Sequence, residues 1–251
     1  MSGHSKWSTI KRKKGAADAK RGQVFTRLAR EIAMAARHGG GDPIGNFRLR
    51  LAIDKARANN MPKDNIERAI QRGTGEGKEG GGLEEAMYEG YAPHGIALLI
   101  ECVTDNRNRA VAEIRHVLTR YGGNMGEAGS VSWQFHRVAY FYFPLEGHDP
   151  DKVFELAVEA GADDVSFEDG YAEIVGAVDY FKELSDRLEA AEIEPEEAEL
   201  RMVPNNEVDL NPEDTLQVMR VIESLEELDD IQNVYSTLRV SDEALAQLEA
   251  N

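Results

Sequence analysis

Six of the ten residues from Gly73 to Gly82 (GTGEGKEGGG) are glycine. Neither a helix nor a strand runs comfortably through such a stretch, because glycine loses more backbone freedom on ordering than any other residue. The stretch therefore divides the 251-residue chain into two parts that must fold on different patterns. A glycine run can also be a phosphate loop, which needs Gly, four residues, Gly-Lys and then a Ser or Thr hydroxyl for magnesium. Here Gly77-Lys78 is followed by Glu79, Gly73 stands one residue too close, and no strand pattern precedes it. A flexible linker over residues 76–83 is the reading that remains.

The part before the glycines is helical in period. From Gln23, Val24, Phe25, Leu28, Ile32, Ala35 and Ala36 recur at three- and four-residue spacing, with Arg27, Arg30 and Arg37 on the opposite side of the helix. Gly39-Gly40-Gly41 ends it. Asp42-Pro43 carries the residues of a helix start, and a second helix to about Ala58 turns Leu49, Ile53 and Ala56 inward, with Arg48, Arg50, Lys55 and Arg57 more exposed. Pro62 opens a third helix, which packs Ile66, Ala69 and Ile70 and stops at Gly73. A helical domain over 23–75 is expected, preceded by an extended or irregular arm, 1–22.

After the glycines the pattern becomes mixed. GIALLIECVT (Gly95–Thr104) is nearly continuous in apolar residues and reads as a central strand, led into by a turn-rich Tyr88–Gly95. A helix over Arg107–Tyr121, capped by Asp105 or Asn106, and a strand at Ser130–Phe135 follow. Residues 138–203 then read strand, helix, strand, strand, helix, strand, which is a complete ferredoxin-type split βαβ. An extended piece at Asn206–Leu210, a helix from Pro212 to about Leu228 and a strand at Ile231–Leu238 complete the set. Joined to the elements before residue 137, they make a second unit of the same type. The expected class is α+β: a three-helix domain, then two ferredoxin-like domains, the third (137–204) inserted within the second (84–136 plus 205–240). Tandem α+β units are the alternative.

Charge is segregated along the chain. Residues 1–78 hold 18 Lys+Arg and 7 Asp+Glu, a balance of +11; the remainder holds 11 and 39, a balance of −28. Lys6, Lys11, Arg12, Lys13, Lys14, Lys20, Arg21, Arg27 and Arg30 stand against a single acid, Asp18, in the first thirty residues, with Trp7 inside the basic run. Such a concentration of cations suits a polyphosphate backbone. The lysine run has a second reading, a solvated tail, and Trp7 either stacks on a base or anchors the arm. Arg107 and Arg109 sit at a helix N-terminus, where the macrodipole disfavours them, so they serve a contact or pair with nearby acids. No recognition helix with base-reading amides and arginines stands out, so backbone charge and shape should dominate binding.

Catalysis is not expected. His4, His38, His94, His116, His136 and His148 are scattered without a metal-ligand pair, there is no nucleophile elbow, and the one cysteine, Cys102, lies inside an apolar strand. No cofactor, metal or small-molecule substrate is predicted. No apolar run approaches the roughly 18 residues of a membrane span. The basic N-terminus has no apolar segment behind it, and a lone cysteine fits a reducing compartment, so the expected location is cytoplasmic with no membrane partner.

Gly3-His4-Ser5-Lys6-Trp7, Asp18-Ala19-Lys20-Arg21-Gly22, Gly40-Gly41-Asp42-Pro43, Asn60 through Ile70 (NMPKDNIERAI) and Thr104-Asp105-Asn106-Arg107-Asn108-Arg109 resemble the YebC/PmpR family. The resemblance runs in order from residue 3 to about Phe135, with local departures at Phe47 and His94. It implies three domains, a cytoplasmic location and no catalytic activity. It also implies a DNA-binding transcriptional regulator or, as in mitochondrial relatives, a translation factor acting at the ribosome and touching ribosomal RNA. Carried onto this chain, it implies Lys6, Trp7, Lys11, Arg12, Lys13, Lys14, Lys20, Arg21, Arg27 and Arg30 as the contact set; Arg37, Arg107 and Arg109, from their helix positions, are secondary candidates.

Overall fold

A computed structural model of the chain describes residues 18–75, 82–241 and 243–244. The basic arm, with Lys6, Trp7, Lys11, Arg12, Lys13 and Lys14, and most of the glycine linker lie outside the described residues.

Three helices open the described chain: α1 (Asp18–Gly39), α2 (Phe47–Ala58) and α3 (Lys63–Thr74). Helix α1 starts five residues ahead of the expected Gln23. Ala19, Lys20 and Arg21 are good helix formers, and they outweigh the roughly 1 kcal/mol that Gly22 costs inside a helix. The start of α2 also differs from expectation. Asp42-Pro43 forms a turn, with Asp42 accepting from the Ile44 amide, and the cap is Asn46. The Asn46 carbonyl oxygen accepts from the Leu49 amide at 3.1 Å, while its amide group donates to the Ala35 and Gly40 carbonyls. One buried side chain thus starts α2 and ties it to the end of α1. Leu28, Ile32, Ala35 and Ala36 of α1 pack on Leu49, Ala52, Ile53 and Ala56 of α2 and on Ile66 and Ala69 of α3. Small side chains bring the axes close: a Cβ on Gly73 would lie 2.2 Å from the Ala33 carbonyl oxygen.

The next elements are β1 (Glu84–Tyr91), β2 (Ala97–Thr104), α4 (Arg107–Arg120) and β3 (Asn124–Met125). The chain then runs through a separate compact unit, residues 135–205, before returning. That unit holds β4 (Phe135–Pro144), α5 (Pro150–Glu159), β5 (Ala162–Glu168), β6 (Tyr171–Gly176), α6 (Phe181–Ala190) and β7 (Glu197–Pro204). Its antiparallel sheet has the order β5-β6-β4-β7, the ferredoxin-type arrangement expected from the sequence. Asp169 and Gly170, at φ 51° and 80°, make the two-residue turn of its β5–β6 hairpin. Phe141 and Phe181 meet at 4.7 Å between ring centroids, joining sheet to α6.

On its return the chain forms β8 (Val208–Asp209), α7 (Pro212–Glu226), β9 (Ile231–Ser236) and β10 (Leu238–Arg239). The second sheet has the order β3-β1-β2-β9, so the domain is completed by strands on both sides of the insert. β1 is antiparallel to both β2 and β3, which makes β2-α4-β3 a split βαβ with β1 in its gap. Three local expectations are corrected here. Of the turn-rich lead expected at Tyr88–Gly95, Tyr88–Tyr91 is the end of strand β1, and the turn itself is confined to Pro93–Gly95. Ser130–Phe135 is no strand: a 3-10 turn occupies Ser132–Gln134 and β4 begins at Phe135. The piece after Asn206 pairs with β10 instead of joining the main sheet. Leu98, Ile100 and Cys102 of β2 are fully buried against Ile114 and Leu118 of α4 and Val218, Ile222 and Leu225 of α7. No described helix is long and apolar enough to cross a membrane.

Candidate nucleic-acid interface

Helix α1 is the natural place for phosphate contacts, because the helical period puts its arginines on one side. The structure gives that side to the β-sheet domain instead. Gln23 Nε2 donates to the Glu227 carbonyl, Arg30 pairs with Asp230 at 2.9 Å and donates to the Asp229 carbonyl, and Arg37 donates to the Leu83 carbonyl. Between them Ala33 and Met34 bury against Leu83 and Val103. The helix is therefore apolar on one face and docked by its polar face on the other. Of its sequence-predicted contacts, Arg27 is partly exposed and Lys20 and Arg21 belong to the first turns.

Asp230 is the centre of this docking. Its carboxylate is 2% exposed and accepts from the Thr104 hydroxyl at 2.8 Å and from Arg109 Nη2 at 2.7 Å, besides pairing with Arg30. Arg109 also reaches Asp105 at 2.9 Å, and the Asp230 and Asp105 hydrogen bonds push its pKa up. The Arg109 hydrogen bond holds the Asp105 carboxyl below the usual range. Arg107 pairs with Glu84 at 2.6 Å. Of the two arginines at the Asn106 helix start, Arg109 is spent on the buried Asp230, while Arg107 sits in an exposed pair. Cys102, in the core beneath, has its thiol pushed up to about 12 by burial and then by Asp230. It is a packing residue at neutral pH. Among the described residues no three His, Cys, Asp or Glu side chains converge on a metal site.

Within the helical domain, most of the cations that face solvent belong to α2 and α3. Arg50 lies over the Phe47 ring at 5.1 Å, Arg57 and Lys63 are 69% and 86% exposed with a same-helix acid each, and Arg68 is held by Asn65. Exposed pairs of this kind contribute about 0–1 kcal/mol, so a phosphate can displace the acid at little cost. Residues 18–75 carry 12 Lys+Arg against 6 Asp+Glu, a balance of +6. The unit 135–205 carries 5 against 19, a balance of −14. One sheet face of that unit bears Tyr140, Tyr142 and Tyr171, the residue type that stacks bases on other four-stranded sheets. Here those rings are flanked by Glu173, Glu197 and Glu199, and the one arginine, Arg201, sits 3.7 Å over Tyr140 and bonds both Glu197 and Glu199. Burial works against the Arg201 charge, but Glu199 and its neighbours more than offset that and push its pKa up. With Arg201 committed to Glu197 and Glu199, this face offers a phosphate backbone a net negative charge.

A feature the sequence reading missed lies on β1. Glu89 is buried, and its carboxylate accepts three backbone amides, Gly129 at 2.7 Å, Val131 at 2.6 Å and Ser132 at 2.9 Å. The Tyr91 hydroxyl donates to the Ser130 carbonyl, and so does the Trp133 indole at 3.1 Å. The loop is fixed, yet Trp133 is 71% exposed on it. Burial alone would raise the Glu89 pKa; the three amide donors outweigh it, and the group titrates below its ordinary 4.5. Its stabilising contribution is therefore full at neutral pH and fades as acid protonates the folded carboxyl. Glu89→Gln should cost about 2 kcal/mol at neutral pH, because an amide cannot accept three charge-assisted bonds. The cost should shrink in acid, as urea midpoints of the two proteins at several pH values will measure. The signal was present in the sequence only as an acid immediately before Gly90-Tyr91, with its partners some forty residues downstream.

Comparison with known proteins follows the same division of the chain. Residues 5–76 match the model of the TACO1/YebC protein N-terminal domain, and residues 83–238 match that of the TACO1/YebC second and third domain. A "Probable transcriptional regulatory protein" of Acidithiobacillus ferrooxidans is 54% identical over 250 residues, covering 100% of this chain and 99% of that one. Its counterpart by name in Geotalea uraniireducens is 52% identical over 248 residues, covering 99% and 100%. The crystal structure of a conserved hypothetical protein from Aquifex aeolicus superposes with a TM-score of 0.83 at 41% identity, covering 91% of this chain and 94% of that chain. With both domain models matched in order across nearly all of its length, this chain belongs to the TACO1/YebC family, and the two bacterial relatives above are named as regulators rather than as enzymes.

Proposed function

We propose that this chain is a non-enzymatic, nucleic-acid-binding regulator of gene expression, acting in the cytoplasm as a DNA-binding transcriptional regulator. The observation that carries the proposal is the partition of charge between folded parts: +6 on residues 18–75 against −14 on residues 135–205. The names of the relatives point the same way. Lys6, Trp7, Lys11, Arg12, Lys13, Lys14, Lys20, Arg21 and Arg27 supply the contact set, joined by Arg50, Arg57 and Arg68 from α2 and α3. Arg30, Arg37 and Arg109 drop out of it, because their guanidinium groups tie the helical domain or Asp230 into the fold; Arg107, in a pair with Glu84 that is exposed on both sides, stays a secondary contact. Contacts of this type go to phosphates and fix position on the duplex without reading bases.

Gel-shift assays on promoter fragments, paired with sedimentation of cell extract through a sucrose gradient, test this directly. A free protein that shifts duplex DNA supports the proposal. Co-migration with ribosomes, lost on removing residues 1–22, would transfer the same cations to ribosomal RNA and make the chain a translation factor. Binding to neither, or binding unaffected by that removal, overturns it.

A further inference from the structure

We propose that Trp133 is a stacking platform for one unpaired nucleobase; the proposal rests on the nucleic-acid reading above and deepens it. A ring at the surface is often free to turn. This one is held: Glu89 pins the backbone on both sides of Ser130, and the indole nitrogen is tied to the Ser130 carbonyl at 3.1 Å. A fixed ring that is 71% exposed has already lost the rotamer freedom that binding would otherwise cost.

The neighbourhood favours a base over a protein partner. Side chains alternate along a strand, so Glu85, Met87 and Glu89 share one face of β1. Arg48 of α2 pairs with Glu85 at one end of that row, Met87 is 45% exposed in the middle, and Glu89 holds the Trp133 loop at the other. The ends are about 13 Å apart along the strand. The acid opposite Met87, Glu101, is engaged by Asn233 at 2.7 Å and by the Tyr235 hydroxyl at 3.2 Å. The apolar surface offered is one indole and one thioether, the size of a single base. A specific protein interface needs about 800 Å² on each partner, with an apolar centre. A cation-bearing helical domain at one end and one aromatic ring at the other suit a nucleotide chain whose backbone meets the first and whose base meets the second.

The test uses the full chain with single-stranded oligoadenylate and with an abasic oligonucleotide of equal length. The chain has two tryptophans, and Trp7 belongs to the contact set, so Trp7→Phe, with Trp133 as its one indole emitter, is used for the fluorescence readout alone and at strand concentrations that saturate it. Oligoadenylate should quench its fluorescence; the abasic strand and intact duplex should bind without quenching. In the native background, Trp133→Ala should weaken oligoadenylate binding by about fivefold to a hundredfold and leave the abasic strand's affinity unchanged. Trp133→Phe should retain most of the affinity. Unchanged oligoadenylate affinity in Trp133→Ala, with the parent still binding, overturns the stacking role and leaves the nucleic-acid reading intact. A parent protein that binds none of the strands or duplexes overturns both.

Discussion

Replacing Asp230 by alanine should lower the free energy of unfolding by about 3 kcal/mol and the Tm by about ten degrees. The carboxylate is 2% exposed, and it answers the Arg30 and Arg109 charges and the Thr104 hydroxyl together. Its removal leaves two guanidinium groups facing each other across the helical and sheet domains. Because Arg109 is 42% exposed it can rehydrate, which keeps the destabilisation toward the lower end of what breaking a buried ion pair costs. Arg109→Met should cost less than Asp230→Ala, since Arg30 still answers the acid. The double variant should fall short of the sum, because both substitutions remove one shared interaction. Scanning calorimetry of the three proteins measures this. Equal melting temperatures for Asp230→Ala and the parent would mean that α1 is held by its apolar contacts alone.

Nucleic-acid affinity should fall by about a thousandfold between roughly 50 and 200 mM salt if about six cations meet phosphates. Removing one cation from a phosphate flattens the log–log slope by about 0.9. Replacing Lys11, Arg12, Lys13 and Lys14 by serine should therefore flatten it by about three to four. Arg50→Ala and Arg57→Ala should each flatten it by about one. Arg109→Met should leave the slope unchanged, because that side chain is committed to Asp230. Equilibrium titrations by fluorescence anisotropy across salt concentrations distinguish these cases. A flat salt response in the parent protein would remove the phosphate contacts from the mechanism.

What was legible in the sequence follows the range over which its partners lie. The insert could be read strand by strand, because its signals are local: Asp149 and Pro150 start α5, Asp169-Gly170 turns the hairpin, and apolar residues fill β4. The β1 strand could not. EEAMYEGY is rich in glutamate, and what makes it a strand is remote: Glu85 finds Arg48, and Glu89 finds three amides some forty residues on. The start of α2 was misplaced for a related reason. Asp42-Pro43 has the composition of a cap, but Asn46 can reach the end of α1 as well as its own helix, and that double use decides the matter. On α1 the period put Arg27, Arg30 and Arg37 opposite the apolar stripe. A polar helix face can meet water, phosphate or another domain's carboxylates, and nothing local chooses among them. The choice for Arg30 is made by Asp230, 200 residues away.

The order of synthesis gives that distance a meaning. Helices α1 to α3 have their core partners within residues 18–75 and can assemble as soon as they leave the ribosome. β2 must wait for β9, and α1 must wait for Glu227, Asp229 and Asp230. At about 5–20 residues per second, the nascent helical domain spends on the order of ten seconds with Arg30 unengaged. During that interval it is more cationic than the finished molecule and is growing beside a large RNA. Emergence of Asp229 and Asp230, just ahead of β9, then withdraws that guanidinium group, so the free positive charge of the helical domain falls once synthesis has passed residue 230.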